Sequence, residues 1–284
     1  LAGLKTYVGG NIGIPALDLL SDSTPDLYVL ELSSFQLETT YSLNAHASVV
    51  LNVSPDHMDR YSSLKDYANT KKRIYSGQGL MVLNKDEEYI HSIIDSKRDT
   101  IYFSLGAPEG ENFGLINHNN EVWLSQGNEK IINKNQLKIK GEHNISNALA
   151  AMALAGAVNV PTNIMADVLK NFTGLEHRCQ LVREIDNVSW YNDSKATNVG
   201  ACIASITGLC ELGNIILIAG GDSKGADLSG LNPIVKKYIK RVFLFGIDAN
   251  KLADVMGSDV DKEFVNNMNE AVKGASKIAD SDDI

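Results

Sequence analysis

The side chains in this sequence that could do chemistry fall into a few short stretches, most of them directly after an apolar run. In "LYVLELSSFQLE" the run stops on Glu31, a carboxylate at the end of an apparent buried strand, where a metal ligand or a solvated rim charge would both fit. "NVSPDHMDRY" packs Asp56, His57 and Asp59 into one loop. Carboxylates and an imidazole together suit a divalent metal or a phosphorylated ligand, although a polar surface loop has the same composition. "YNDSKATN" gathers Asp193, Ser194, Lys195, Thr197 and Asn198 into one turn, which reads either as a ligand rim or as a capped strand-to-helix loop. "IILIAGGDSKGADL" sets Lys224 between Gly221 and Gly225, where backbone N–H groups and an ammonium can hold an anion. It is not a G-x-x-x-x-G-K-[ST] phosphate loop, and none occurs in the chain.

Three further stretches carry weaker signals. "GGNIG" around Asn11 is a glycine-rich turn, and glycines first of all permit unusual backbone angles. Lys71 and Lys72 fall mid-helix, where a solvated face is the ordinary explanation. Asn144 and Asn147 lie three apart, so both can leave one face of a helix's first turn. Capping would account for Asn144, whereas Asn147 on an otherwise apolar helix calls for another reason.

The elements that must position these groups follow from the apolar pattern. Residues 26–31, 47–53 and 80–84 read as buried strands, with "SLKDYANTKKRIYSG" a helix that Gly77 helps to end. From Thr100 to Ile139 the pattern shortens: "TIYFSL", "FGLINHNNEVWLS" and "NQLKIK" predict a small appended antiparallel element. An Ala-rich helix opens in "GEHNISNALAAMALAGAV", and a second helix leads to Gly174, where a domain boundary is placed. Beyond it "VSWYND", "NIILIAGG" and "RVFLFG" alternate with helical segments, which predicts a second, parallel α/β domain.

Composition bounds the rest. A chain of 284 residues holds about two domains, and 44% hydrophobic with 21% charged residues is ordinary for a globular protein. A net charge of −9 with no basic block argues against nucleic acid and anionic membrane surfaces as partners. No apolar stretch has the length of a membrane span. The three cysteines, Cys179, Cys202 and Cys210, suit a reducing cytoplasm and offer no metal or disulfide framework. The opening "LAGLKTYVGG" and the closing "ADSDDI", a polar approach to another strand, read as cuts through a fold.

Taken in order, "GGNIGIPALDLL", "LELSSFQLETT", "LNVSPDHMDRY", "KKRIY", "GEHNISNALAA", "FTGLEHR", "NDSKATN" and "GGDSKGADL" resemble the ATP-dependent Mur ligases of peptidoglycan synthesis. "ELSSFQLE" points to the branch that adds D-glutamate to UDP-N-acetylmuramoyl-L-alanine. The resemblance implies an α/β fold: a central parallel-sheet ATPase-type domain over 1–174, lacking its first strand and phosphate loop, then a Rossmann-like domain over 175–284, cut at its end. It also implies a cytoplasmic, monomeric enzyme that uses ATP and Mg2+, makes an acyl-phosphate and lets the incoming amine attack it.

Residue by residue, the resemblance implies that Glu31 holds Mg2+ bridging the ATP phosphates and His57 binds or flanks a second Mg2+. Lys71, as a carbamate formed with CO2, would be a further metal-binding group. Asn11 and Ser33 would lie along the nucleotide-sugar substrate. Asn147, Arg178 and Asp193 would hold the adenosine part of ATP with Asn144 nearby in the ATP site, Lys195 would face its phosphates, and Thr197 and Lys224 would take the carboxylates of D-glutamate. Gln180 replaces a frequent acidic residue and so removes a possible partner of Arg178, while Leu228 replaces a frequent Phe and keeps its apolar role. Without the phosphate loop, the chain alone is expected to have little ligase activity. Two alternatives accompany this reading: another amide ligase of the superfamily, folylpolyglutamate synthase-like, and a non-catalytic nucleotide-binding module.

Overall fold

The strongest apolar runs of the sequence become strands of four sheets in a computed structural model, which describes residues 2–20, 23–91, 98–210, 214–223 and 225–284. The chain divides into two compact units. The first comprises Leu1–Val53, Tyr61–Leu137 and Ile145–Phe172, and the second comprises Ser54–Arg60, Lys138–Asn144 and Thr173–Ile284.

In the first unit β1 (Thr6–Gly10) and β2 (Leu27–Glu31) form a parallel pair, and α1 (Ser34–Glu38) follows. β3 (Ala47–Val50) leads through α2 (Leu64–Lys72) to β4 (Leu80–Asn84), and α3 (Glu88–His91) precedes β5 (Thr100–Phe103). β6 (Phe113–His118), β7 (Glu121–Gln126) and β8 (Glu129–Asn133) complete a six-stranded sheet in the order β3-β4-β5-β6-β7-β8. Its first four strands are parallel and its last three antiparallel. The β6–β7 turn is Asn119–Asn120, both at positive φ, the geometry a two-residue hairpin needs. α4 (Glu142–Ala157) and α5 (Thr162–Asn171) follow, α4 burying Ile145, Leu149 and Met152. At the β3 edge Val50, Tyr67, Tyr75, Met81 and Leu83 pack together.

The second unit holds an antiparallel pair, β9 (Gln180–Ile185) and β10 (Val188–Asn192), turned by Asp186–Asn187 at positive φ. α6 (Val199–Leu209), β11 (Ile215–Gly220), α7 (Leu231–Tyr238), β12 (Ile239–Phe245), α8 (Ala249–Met256), β13 (Asp261–Phe264) and α9 (Met268–Ile278) then alternate. β11-β12-β13 is a parallel sheet. Val242 and Leu244 of β12 face the α7–α8 side with Val235 and Met256, while Phe243 meets Ala271 and Ala275 of α9. Each such fully buried large side chain contributes about 1.5–3 kcal/mol. No helix among the described residues is long and apolar enough to cross a membrane.

The α/β class agrees with the sequence, but several elements differ. β2 is not buried: Tyr28, Val29 and Leu30 are exposed, because β1 is its one paired neighbour among the described residues. The strand read over 47–53 stops at Val50. "TIYFSL" joins the parallel sheet as β5, so the antiparallel strands continue the central sheet. "NQLKIK" is not a strand, because Asn133 caps its own turn by accepting from Asn135 N and the chain enters a 3-10 turn; the third antiparallel strand is β8. "VSWYND" pairs with β9 rather than entering the parallel sheet, and the third parallel strand is the polar β13.

Candidate functional site

In the first unit the acidic end of β2 is fixed by backbone before side chains act. Gly10 pairs with Glu31 across the two strands, and Asn11 N donates to Glu31 O at 2.7 Å. Gly10 sits at φ +110, and a Cβ there would run into the Glu31 backbone, so this approach requires glycine. Asn11 Nδ2 then donates to Glu31 Oε1 at 3.1 Å. Two sequence candidates are thereby brought together on an exposed strand end.

Ser33 caps α1. Its hydroxyl accepts from Gln36 N at 3.2 Å, and Gln36 Oε1 accepts from Ser33 N at 2.9 Å, a capping box that sets the helix directly after Glu31. Lys71 and Lys72 close the last turn of α2 rather than lying mid-helix, a position where cations complement the helix dipole. The Lys71 ammonium lies 4.9 Å from the centre of the Tyr67 ring. Burial, with Lys65 nearby, lowers the pKa of Lys72 below the usual lysine value. Asn147 is exposed on α4, between the buried Ile145 and Ala148. Asn144 is not the N-cap: it lies inside the first turn and donates from Nδ2 to Lys140 O at 2.7 Å, because α4 already begins at Glu142.

In the second unit the segment 176–179 is laced to the turn after β10. Cys179 N donates to Asp193 Oδ1 at 2.8 Å, Lys195 N to His177 O at 3.1 Å, and Asn192 Nδ2 lies 2.9 Å from His177 Nδ1. Arg178 sits between His177 at φ +64 and Cys179 at φ +46, two left-handed residues held by these bonds. Gln180, singled out for lacking a charge, accepts from His177 N at 3.1 Å and so helps hold the same bend. Arg178, Lys195 and Thr197 are exposed and Asp193 half-buried. Burial first, and the Asp193 carboxylate second, push the Cys179 thiol up to about 11, so it stays protonated near neutrality.

His57 also belongs to this unit, at φ +55, with Asp56 Oδ1 accepting from its backbone N at 2.9 Å. Asn198 caps α6 by accepting from Ala201 N and donates to Asp56 Oδ2 at 3.4 Å. Lys224 lies outside the described residues.

The donor chemistry bears on which metal would fit. Among the described residues no group of three or more His, Cys, Asp or Glu side chains could cage an ion. A lone, exposed carboxylate oriented by an amide suits Mg2+, which keeps several waters and commonly shares its coordination with substrate phosphates. Cys179 and Asn192, which hold the Arg178 bend together with Gln180, make contacts that no motif advertises.

Comparison with known proteins places these elements. The Mur ligase middle domain model matches residues 8–155, and the Mur ligase glutamate ligase domain model matches residues 177–284. The UDP-N-acetylmuramoylalanine--D-glutamate ligase of Nitrosococcus oceani is 48% identical over 99% of this chain and 62% of its own length. The protein of that name from Pseudomonas aeruginosa is 47% identical over 98% of this chain and 62% of its own length. The chain thus spans about three fifths of the curated relatives it matches. The crystal structure of MurF ligase from Thermotoga maritima in complex with ADP shares the fold, with a TM-score of 0.78 at 15% identity, over 99% of this chain and 69% of that one. With both domain models matched in order, the chain belongs to the Mur ligase family, whose members use ATP and Mg2+.

Proposed function

We propose that the protein carrying this chain adds D-glutamate to UDP-N-acetylmuramoyl-L-alanine, as a monomer in the cytoplasm, at the expense of ATP. The observation that carries this reading is the identity of 46–48% to D-glutamate ligases over almost the whole chain, far above the 15% shared with the MurF neighbour. The substrate carboxylate attacks the γ-phosphorus and ADP leaves. The amine of D-glutamate then attacks the acyl carbon, phosphate leaves, and the amine's proton passes to a base that no residue here is assigned to supply. Positioning and charge neutralisation dominate such phosphoryl chemistry.

In this reading Glu31, oriented by Asn11, would hold one Mg2+ and His57 would bind or flank a second, and the ions would supply charge neutralisation for phosphoryl transfer. Ser33 and Asn11 flank the nucleotide-sugar, while Asn147, Arg178 and Asp193 take the adenosine with Asn144 nearby. Lys195 faces phosphates, and Thr197 with Lys224 takes the D-glutamate carboxylates. Lys71 would act as its carbamate, which would turn a cation at the end of α2 into an anionic metal ligand. Residues 1–174 and 175–284 are the two functional domains.

The test is phosphate release by the full-length gene product with UDP-N-acetylmuramoyl-L-alanine, Mg-ATP, bicarbonate and D-glutamate. Release that requires both acceptor and donor substrates supports the reading. Preference for L-lysine, diaminopimelate or L-alanine over D-glutamate refutes the branch, and activity indifferent to bicarbonate and to Lys71→Met refutes the carbamate.

A further inference from the structure

Asn192, which none of the roles above employs, ends β10 where the bend that carries Arg178 meets the turn that carries Asp193 and Lys195. The β9–β10 ladder brings it there. Trp190 pairs with Arg183 but Tyr191 pairs with Leu181, so Val182 is left over as a bulge and Asn192 comes opposite Gln180. Its amide then works in two directions. Oδ1 accepts from Ser194 N at 3.1 Å, inside the turn. A backbone N–H can only donate, so the amide oxygen is fixed on that side and the NH2 on the other. There Nδ2 lies 2.9 Å from His177 Nδ1, in the bend, and is the donor. The ring nitrogen it meets accepts, which leaves the proton of the uncharged ring on Nε2.

The bend has to be held from outside. His177 at φ +64 and Cys179 at φ +46 flank Arg178 in the left-handed region, which residues with a Cβ enter where their surroundings impose it. His177 is exposed, so burial does not impose it. Hydrogen bonds do: His177 N donates to Gln180 Oε1, His177 O accepts from Lys195 N, and Asn192 holds the ring. Asn192 engages bend and turn at once through the two ends of a single planar group.

We propose that Asn192 is a positioning residue for the nucleotide: its amide clamps the bend that presents Arg178 to the turn that presents Asp193 and Lys195. The proposal rests on the ligase reading for the roles of those three side chains, while the clamp and the ring proton it fixes do not. An aspartate at this position would still accept from Ser194 N but would turn a second oxygen toward Nδ1. Two acceptors repel, so a proton would have to settle on Nδ1. An alanine would release both segments. Thr197 is anchored from the other side, because the Asn198 that follows it caps α6 by accepting from Ala201 N at 2.8 Å.

The experiment compares wild type, Asn192→Ala, Asn192→Asp, His177→Ala and the Asn192→Ala, His177→Ala double variant in the full-length protein. It reads Kd for Mg-ATP, KM for D-glutamate, and the His177 ring 15N resonances at about pH 8.5, where ordinary imidazoles are uncharged. Loss of two hydrogen bonds predicts a Mg-ATP Kd raised about tenfold in Asn192→Ala, with the D-glutamate KM within about twofold of wild type. In the His177→Ala background the same substitution should raise Kd by no more than about threefold, because half of the clamp is already gone. Asn192→Asp should put a proton on Nδ1, seen in its 15N shift, and it serves if Asn192→Ala does not fold. Equal fold-changes for both ligands, the full effect of Asn192→Ala in both backgrounds, or unchanged His177 resonances in Asn192→Asp overturn the proposal. A wild-type protein that binds Mg-ATP without D-glutamate-dependent turnover sinks the ligase reading instead, and the Kd and 15N comparisons then decide the clamp alone.

Discussion

Replacing Tyr75 by Phe removes one oxygen from the best-enclosed edge of the first unit. That hydroxyl accepts from Val50 N of β3 at 2.8 Å and donates to Val82 O of β4 at 3.0 Å. The ring is 4% exposed, so no water replaces the lost partner, and burial raises the phenol's pKa, keeping it a donor at any ordinary pH. The substitution is isosteric and leaves packing with Met81 and Leu83 intact, so no cavity contributes. Two backbone groups left unsatisfied at about 1–2 kcal/mol each give a loss of about 2–4 kcal/mol. With a urea slope of about 2 kcal/mol/M, the midpoint should fall by about 1–2 M. The two tryptophans make the assay unit-specific, because Trp123 lies in the first unit and Trp190 in the second. In a Trp190→Phe background, Trp123 fluorescence follows the first unit alone. A midpoint moved by less than about 0.3 M would show that Val50 and Val82 find other partners, and the burial argument would fail.

Three further outcomes follow from other features. Gly274→Ala should destabilise the second unit by about 1–3 kcal/mol despite alanine's better helix propensity, because the new Cβ would stand 3.0 Å from Cζ of the fully buried Phe243; an unchanged or raised thermal midpoint counts against this. Burial lowers the pKa of His143 below the ordinary 6.5, against the raising effect of Asp193. The unfolded imidazole therefore binds a proton that the folded one refuses, so stability is full above about pH 6.5 and declines as pH falls toward the folded value. His143→Gln should flatten that decline below about pH 6.5, and an unaltered slope would locate the effect elsewhere. Glu31→Gln in the full-length protein should lower ligase turnover by about a hundredfold or more while the unfolding midpoint stays put, since the side chain is exposed; retained turnover removes Glu31 from the metal.

Much of this architecture is readable from apolar runs, and the exceptions have identifiable causes. β4 reads as buried and is, because strands pair on both sides of it. β2 has the same composition and stays exposed, since burial depends on neighbours that a local window does not contain. β13, "DKEF", escapes pattern reading because it is a polar edge strand; Arg241 pairs with both Asp261 and Glu263 across it. The β9–β10 hairpin was legible, in hindsight, from the Asp186–Asn187 turn between two apolar-containing runs. At the candidate site Glu31 is legible from its strand end. Lys71 is not, because a lysine in a helix's last turn has an ordinary electrostatic reason to be there.

The order of strands in the six-stranded sheet has a consequence for biosynthesis. From β3 to β8 every strand pairs with the strand that precedes it in the chain, so the sheet can lengthen one strand at a time as the ribosome releases them. β11 is placed differently: Ile216 N donates to Ile284 O at 2.7 Å, and Ile284 N to Asn214 O at 2.8 Å. That side of β11 waits for segments made long after it, which leaves an unpaired strand edge open while the nascent chain is still growing. The open edge of β11 is therefore a point of misassembly in the second unit during translation.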